Sequence, residues 1–423
     1  MRLVIVLLVV VSAACTPATT PSAEAPRTST APATGAAPIK LGVLADVSGP
    51  FAPQGAEMRI NTDLAVKQWN DTGGVDGRPV QADFFDPKSD PTQALQAATR
   101  FVQQDRVDVL VGAVGSNECA AVQELAPKLG VVYVTSSGCA AEEITAKTCN
   151  QYTFRFVPQG KQSLGPLARY VVNAIGPTWA VIYPDYAFGQ SQLAAFSEGV
   201  RQAAGAVSVQ VPVPLSETNL TPYVTRLPTD GSVVGVYDTM TGAQLTNSIS
   251  SIQQFGISDR VKLVITGGKE GFGGTYPDVL TGAIFNSFSP EDHGPFMTEY
   301  QRNFLQMAQV DAQVANIIGG ASNAKVGAQM GYSAYAAINA IKQSMRAVHY
   351  GGPGDTARLI EALANFRAQQ SPDFPGGDIT MDPNDHQGRM TEYVSQIEGQ
   401  REKVLSMTPS DQVPPIGTCK VSG

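Results

Sequence analysis

The chain has 423 residues, more than one hydrophobic core comfortably holds, so two or more domains are expected. Hydrophobic residues make up 43% and charged residues only 16%, the balance of a compact globular protein rather than a disordered one. A net charge of −8 argues against nucleic acid as a partner, because no basic surplus exists to neutralise phosphates.

Residues 1–15 read as a targeting segment. Arg2 supplies the positive end, and 3–11 is an unbroken apolar run, too short to span a bilayer. Ser12-Ala13-Ala14-Cys15 is a small-residue cleavage site that resembles a bacterial lipobox. In a lipobox the cysteine, here Cys15, is acylated and becomes the mature N-terminus. The alternative is an ordinary secretory signal with an unrelated cysteine. Residues 16–38 are mostly Ala, Pro, Ser and Thr, which suits a flexible tether between a membrane anchor and a folded body. No later segment is long and apolar enough for a transmembrane helix. The expected location is therefore extracytoplasmic and lipid-anchored, in the periplasm or on the outer face of the bacterial membrane.

Residues 39–86 read as one βαβ unit. The run 39–45 is of strand type, and a turn-rich loop through Ser48-Gly49-Pro50 to Gly55 follows. Met58, Ile60, Leu64, Ala65 and Trp69 then recur at helical spacing up to Gly73-Gly74, and 80–85 starts a second strand. Such a unit implies a parallel sheet with a right-handed crossover, and ligands sit beyond the carboxyl ends of such strands. The loop 46–55 is thus a candidate ligand lip from topology alone. Asp90-Pro91 opens a helix whose buried face is Ala94, Leu95, Ala98, Phe101 and Val102. Strands at 107–111 and 131–134 run into two further polar loops, 112–117 and 135–139.

After a strand-like run at 152–156 the alternation restarts. Helical segments are expected at 163–174, from the loop 184–189 to about Gly205, from Thr221-Pro222, and up to Gly256. Strands are expected at 179–183, 207–211, 233–237 and 263–265. The chain then returns through helices at 295–307, 324–347 and 356–366. Two late extended runs, 378–381 and 392–397, flank Asp385-His386-Gln387-Gly388.

The run GVLADVSGPFAPQG followed by LAVKQWNDTGGVDGRPV resembles the opening of the branched-chain amino-acid-type periplasmic binding proteins. These are the extracytoplasmic receptors of ABC importers for amino acids, amides, urea and aromatic acids. Gln54 stands where that family usually has an aromatic residue before the glycine. The resemblance implies an α/β fold of two Rossmann-like doubly wound lobes joined by a three-crossing hinge, with the ligand between them. It divides the chain into 39–157 plus 288–376 for the N-lobe and 158–287 plus 377–423 for the C-lobe and hinge, and it makes the late runs the family's terminal strand pair. It further implies a monomer, a small-molecule ligand and a membrane permease as partners, and no cofactor.

Past Cys15 there are four cysteines, and export permits disulfides. Four cysteines allow three connectivities, which sequence alone leaves open. The family resemblance favours Cys149–Cys419, which leaves Cys119–Cys139; the local pair Cys139–Cys149 is the alternative. No Cys-x-x-Cys pair exists and the three histidines are scattered, so no metal site is expected.

The N-lobe loops offer backbone N–H groups and hydroxyls at helix N-termini, good geometry for a carboxylate. By resemblance, Ser116 matches the serine that holds the ligand carboxylate; it could equally be a plain N-cap. Ser137, Gly138 and Cys139 match the loop that contacts the ligand ammonium and carboxylate, with Cys139 in the place of a threonine. From the C-lobe, Phe188 matches the aromatic residue that closes over the ligand, with Asp185 on the same loop. Asp238 and Thr241 follow the next strand, Thr241 near a tyrosine of the amino-acid binders. Glu270 matches the acid that pairs with a ligand ammonium. Gln54, Cys139, Phe188 and Thr241 all depart from the leucine-type pattern, so leucine, isoleucine and valine are not the first expectation.

Neither a Gly-x-Ser-x-Gly elbow nor a phosphate-binding Gly-rich loop is present, and His293, His349 and His386 read as surface residues rather than catalytic bases. An importer receptor is thus expected, not an enzyme. The alternatives are a ligand sensor of the same fold that signals occupancy, and a secreted hydrolase.

Overall fold

The computed structural model describes residues 37–139, 143–272, 275–291, 293–320, 329–417 and 419–421. The expectations for the signal segment, Cys15 and the tether up to residue 36 lie outside these residues, as does the side chain of Glu270.

The first sheet is built from β1 (Ile39–Leu44), β2 (Val80–Phe85), β3 (Val109–Gly112), β4 (Val132–Thr135) and β5 (Thr153–Arg155). Its order is β2-β1-β3-β4-β5, parallel throughout, with Leu44 opposite both Phe85 and Gly112. The crossovers are α1 (Ala52–Asp71), α2 (Pro91–Gln103), α3 (Ser116–Leu129) and the short α4 (Glu143–Ala146). As expected, Asp90 caps α2, accepting the Thr92 N–H at 2.7 Å ahead of Pro91.

The second half repeats the plan. It has α5 (Gly160–Ala174), β6 (Thr178–Pro184), α6 (Ala187–Gln202), β7 (Ala206–Val213), α7 (Thr221–Val224), β8 (Gly235–Asp238), α8 (Gly242–Gln254), β9 (Lys262–Ile265) and β10 (Ile284–Ser287). The chain then returns to the first lobe through α9 (Gly294–Ala308), α10 (Ala312–Ile317), α11 (Gln329–Ala347) and α12 (Thr356–Ala364). A small sheet of β11 (Arg367–Ala368), β12 (Ile379–Met381) and β13 (Gly388–Met390) follows. Finally β14 (Glu392–Glu398) and β15 (Arg401–Thr408) complete the second sheet, whose order is β15-β14-β10-β9-β8-β6-β7.

The late strands correct the reading of a terminal pair. The run at 378–381 contributes β12, which pairs with β11 and β13, whereas β14 pairs antiparallel with β10 and β15. The two runs therefore do not pair with each other.

Both sheets are covered on both faces. On one side of the first sheet Trp69 of α1 packs with Tyr332, Ile338 and Ile341 of the returning helices, and on the other Phe101 and Val122 pack from α2 and α3. The second sheet buries Leu164 and Phe196 on one face and Ile249 and Leu280 on the other. Burial on two faces explains why the central parallel strands β1, β3 and β4 are almost wholly apolar. Disulfides join Cys119 to Cys139 and Cys149 to Cys419, the pairing the resemblance favours.

His386 is not a surface residue. It is buried where β5 meets the segment before β13, stacked on Phe154 with ring centroids 4.1 Å apart. Burial lowers it to about 4, so it is neutral. His349 is exposed, and His293 is half-buried with its ring nitrogen 2.8 Å from the Tyr393 hydroxyl.

Candidate functional site

The loops after β1, β3 and β4 share the carboxyl edge of the first sheet, and those after β6 and β8 share the corresponding edge of the second. A cleft lies between them. Phe51, Gln54, Val114, Ser116, Gly138 and Cys139 line it from one lobe, and Tyr186, Phe188 and Thr241 from the other. The lips touch: the Phe51 and Tyr186 rings are 6.2 Å apart, and Gly242 closely approaches the Pro50 carbonyl.

Six of the ten sequence-derived ligand residues meet here: Gln54, Ser116, Gly138, Cys139, Phe188 and Thr241. Ser116 is the first residue of α3, not its cap; Gly115 is the cap residue. The Ser116 hydroxyl makes no hydrogen bond to another described residue, which leaves it and the amides of the first turn to the cleft. Phe188 lies in the first turn of α6 rather than at a strand end, packed 6.0 Å from Tyr186. Cys139 lines the cleft as half of a disulfide, so it offers no thiol.

Three expected residues do not line the cleft. Asp185 is exposed and accepts from the Gln190 side chain at 3.0 Å. Asp238 is fully buried and turned inward, accepting the Ser248 hydroxyl at 2.6 Å and the Met240 N–H at 3.0 Å; burial lifts it to about 6. Ser137 is buried behind the wall. Lys269, beside Glu270, is buried in an ion pair with Glu291 at 2.6 Å rather than exposed. Phe51 and Val114 were missed, because an apolar residue in a loop carries no chemical signature of its own.

Behind the N-lobe lip sit two carboxyls, Asp46 and Glu118, both almost wholly buried. Asp46 accepts the Ser89 N–H at 2.6 Å and the Val114 N–H at 3.3 Å, tying three loops together. Glu118 accepts the Gly115 N–H at 3.0 Å. Burial raises both groups, and the neighbouring Asp46 charge adds to the effect on Glu118, which reaches about 8. Both shifts run the same way, disfavouring the doubly ionised pair. Among the described residues no group of three or more His, Cys, Asp or Glu is placed to hold a metal.

Two glycines let the lips close on their own strands. A Cβ on Gly55 would fall on the Asp46 carbonyl oxygen, and one on Gly189 on the Pro184 carbonyl oxygen. In each lobe the residue just before that glycine, Gln54 or Phe188, is thereby set into the cleft.

The family model for periplasmic binding proteins matches residues 38–402. The chain belongs to this family, in its type I branched-chain amino-acid branch, whose members are solute-binding receptors of ABC transporters rather than enzymes. It is 27% identical over 199 residues to a Leu/Ile/Val-binding protein homologue of Brucella melitensis, a match that covers 47% of this chain and 53% of that protein. The chain thus spans about half the length of such curated relatives. The fold extends further. An ABC transporter substrate-binding protein from Sphaerobacter thermophilus superposes with a TM-score of 0.77 at 22% identity, over 89% of this chain and 99% of that one. A solute-binding protein from Rhodopseudomonas palustris HaA2, solved with p-hydroxybenzoic acid, gives 0.75 at 21% identity, over 90% and 98%. The family implies an extracytoplasmic location. Among the described residues no helix is long and apolar enough to cross a membrane.

Proposed function

We propose that the protein is the receptor of an ABC importer whose cleft takes a small organic acid with an apolar body. Its carboxylate is held by Ser116 and the first amides of α3, its body by Phe51, Tyr186 and Phe188. The observation that carries this reading is the makeup of the cleft. A hydroxyl at a helix N-terminus faces three aromatic rings, and the described lining residues include no carboxylate. An anion is favoured at a helix N-terminus, whereas an ammonium group buried there would have no counter-charge among those residues. Gly138 and the Cys139 backbone border the carboxylate end, and Thr241 and Gln54 supply the remaining polar contacts. A protein of the same fold has been solved with p-hydroxybenzoic acid, so the fold accommodates this class of ligand. The lobes would close about the chain crossings and present the filled form to the permease, with the protein a monomer held to the membrane through Cys15.

A thermal-shift panel of benzoate, 4-hydroxybenzoate, leucine, acetamide and urea tests the reading. A ligand that binds only the folded form raises the melting temperature by mass action. The aromatic acids should raise it, and Ser116→Ala should weaken their binding about tenfold, the loss of one hydrogen bond to a charged group. A shift with leucine alone would overturn the reading.

A further inference from the structure

We infer that Gln54 reads a hydroxyl on the ligand, so that the cleft selects a hydroxylated acid over the plain hydrocarbon acid. This rests on the reading of the cleft as a carboxylate site and adds a second polar contact to it.

Gln54, in the first turn of α1, lines the cleft, and its Oε1 meets no donor among the described residues. Buried polar atoms in folded proteins are nearly always paired, so an orphan that borders a cavity points to a partner the cavity receives. Ser136, Ser137 and Thr239 also have unpartnered buried hydroxyl oxygens nearby, but none of them lines the cleft. The Gln54 amide differs from these hydroxyls in chemistry as well. A serine hydroxyl rotates its proton to suit whatever is near, whereas an amide presents one fixed acceptor and one fixed donor. Phe51, Val114 and Phe188, which line the same cleft, carry no donor.

The complementary group follows from this chemistry. A hydroxyl both donates and accepts, so it pairs with the amide in either orientation about its terminal bond. A ligand that presents only carbon there leaves the amide unpaired and buried beneath it. A site with such a group rejects the analogue lacking the partner more strongly than an apolar wall rejects an added atom. The two lips share a backbone plan and differ in this side chain. Phe188 supplies the apolar contact from the C-lobe, and Gln54 supplies the polar contact from the N-lobe.

Isothermal titration of the mature protein and of Gln54→Met with benzoate, 3-hydroxybenzoate and 4-hydroxybenzoate decides the matter. Methionine keeps the length and helix preference while removing the amide, and a melting curve for each protein verifies the fold. The expected result is that the wild type binds one hydroxybenzoate about tenfold or more tighter than benzoate. Gln54→Met should erase that preference, bringing the affinity for the favoured hydroxybenzoate down to that for benzoate. If the wild type binds all three acids alike, or if Gln54→Met weakens all three equally, Gln54 is a plain part of the wall and the inference is wrong. If a folded wild type binds none of the three, the carboxylate reading itself fails and takes the inference with it.

Discussion

The loop after β1 and the loop after β6 each press a glycine onto the end of the preceding strand, Gly55 on the Asp46 carbonyl and Gly189 on the Pro184 carbonyl. From that common plan the lips diverge. The N-lobe lip is cross-linked: Asp46 holds amides from two neighbouring loops, Glu118 a third, and the Cys119–Cys139 disulfide joins α3 to the loop after β4. The C-lobe lip has no such ties among its lining residues. Asp238 is turned inward to α8, and Tyr186 and Phe188 meet the cleft through ring contacts. The difference separates two tasks. A stiff lip fixes the geometry of an anion site, which depends on direction, while a lip of rings adapts to an apolar body, which does not.

The largest test of this contrast removes the covalent tie. Cys119→Ser with Cys139→Ser opens a link with a sequence separation of 20 residues. It should cost about 3 kcal/mol in a denaturant titration by the chain-entropy estimate. Ligand affinity should fall too, since the lost tie is part of the cleft wall. Unchanged affinity in the folded double variant would show that the N-lobe lip does not need the link to hold its shape. Next in size are the two glycines. Gly55→Ala and Gly189→Ala each force a methyl group against a backbone carbonyl and should destabilise by about 2–3 kcal/mol. If the N-lobe lip is the stiffer one, Gly55→Ala should be the worse of the two for binding, because its loop has less freedom to yield.

A third test varies the pH. The Glu118 carboxyl is raised from 4.5 to about 8 in the folded protein. Between those values the folded state keeps a proton that the unfolded state has released. The resulting stabilisation is complete below about pH 4.5 and is lost as pH rises through about 8. The melting temperature should therefore decline between about pH 4.5 and 8 and level off above that, and Glu118→Gln should flatten the decline. Asp86 adds to the rise of Asp46 and Asp90 to that of Glu118, so the same titration in Asp90→Asn reports how much Asp90 contributes. A decline of equal size in Glu118→Gln would place its source elsewhere.

Much of this architecture is written in local pattern. The helix period from Met58 to Trp69 and the apolar runs of β1, β3 and β4 signal their own conformation, because both faces of the first sheet are buried. The edge strand β15 is harder to read: Arg401, Glu402 and Lys403 break its apolar pattern, as suits a strand with one side open to solvent. Strand β10 is four residues long and offers no period to count. At the site, polar residues at strand ends were legible as a class, but not by the direction they face. Asp238 looks like a ligand contact in sequence, and only the fold shows Ser248 one helix away to receive it. The apolar half of the cleft, Phe51, Val114 and Tyr186, is visible only when the lobes are brought together.

The link between Cys149 and Cys419 has a sequence separation of 270 residues and encloses the whole second lobe together with the returning helices. A single peptide bond cut anywhere in 150–418 leaves both fragments covalently joined. Such a nicked protein would run as one band without reductant and as two with it. A protein exposed to proteases outside the cell would thus lose a bond in a surface loop and still keep both lobes joined.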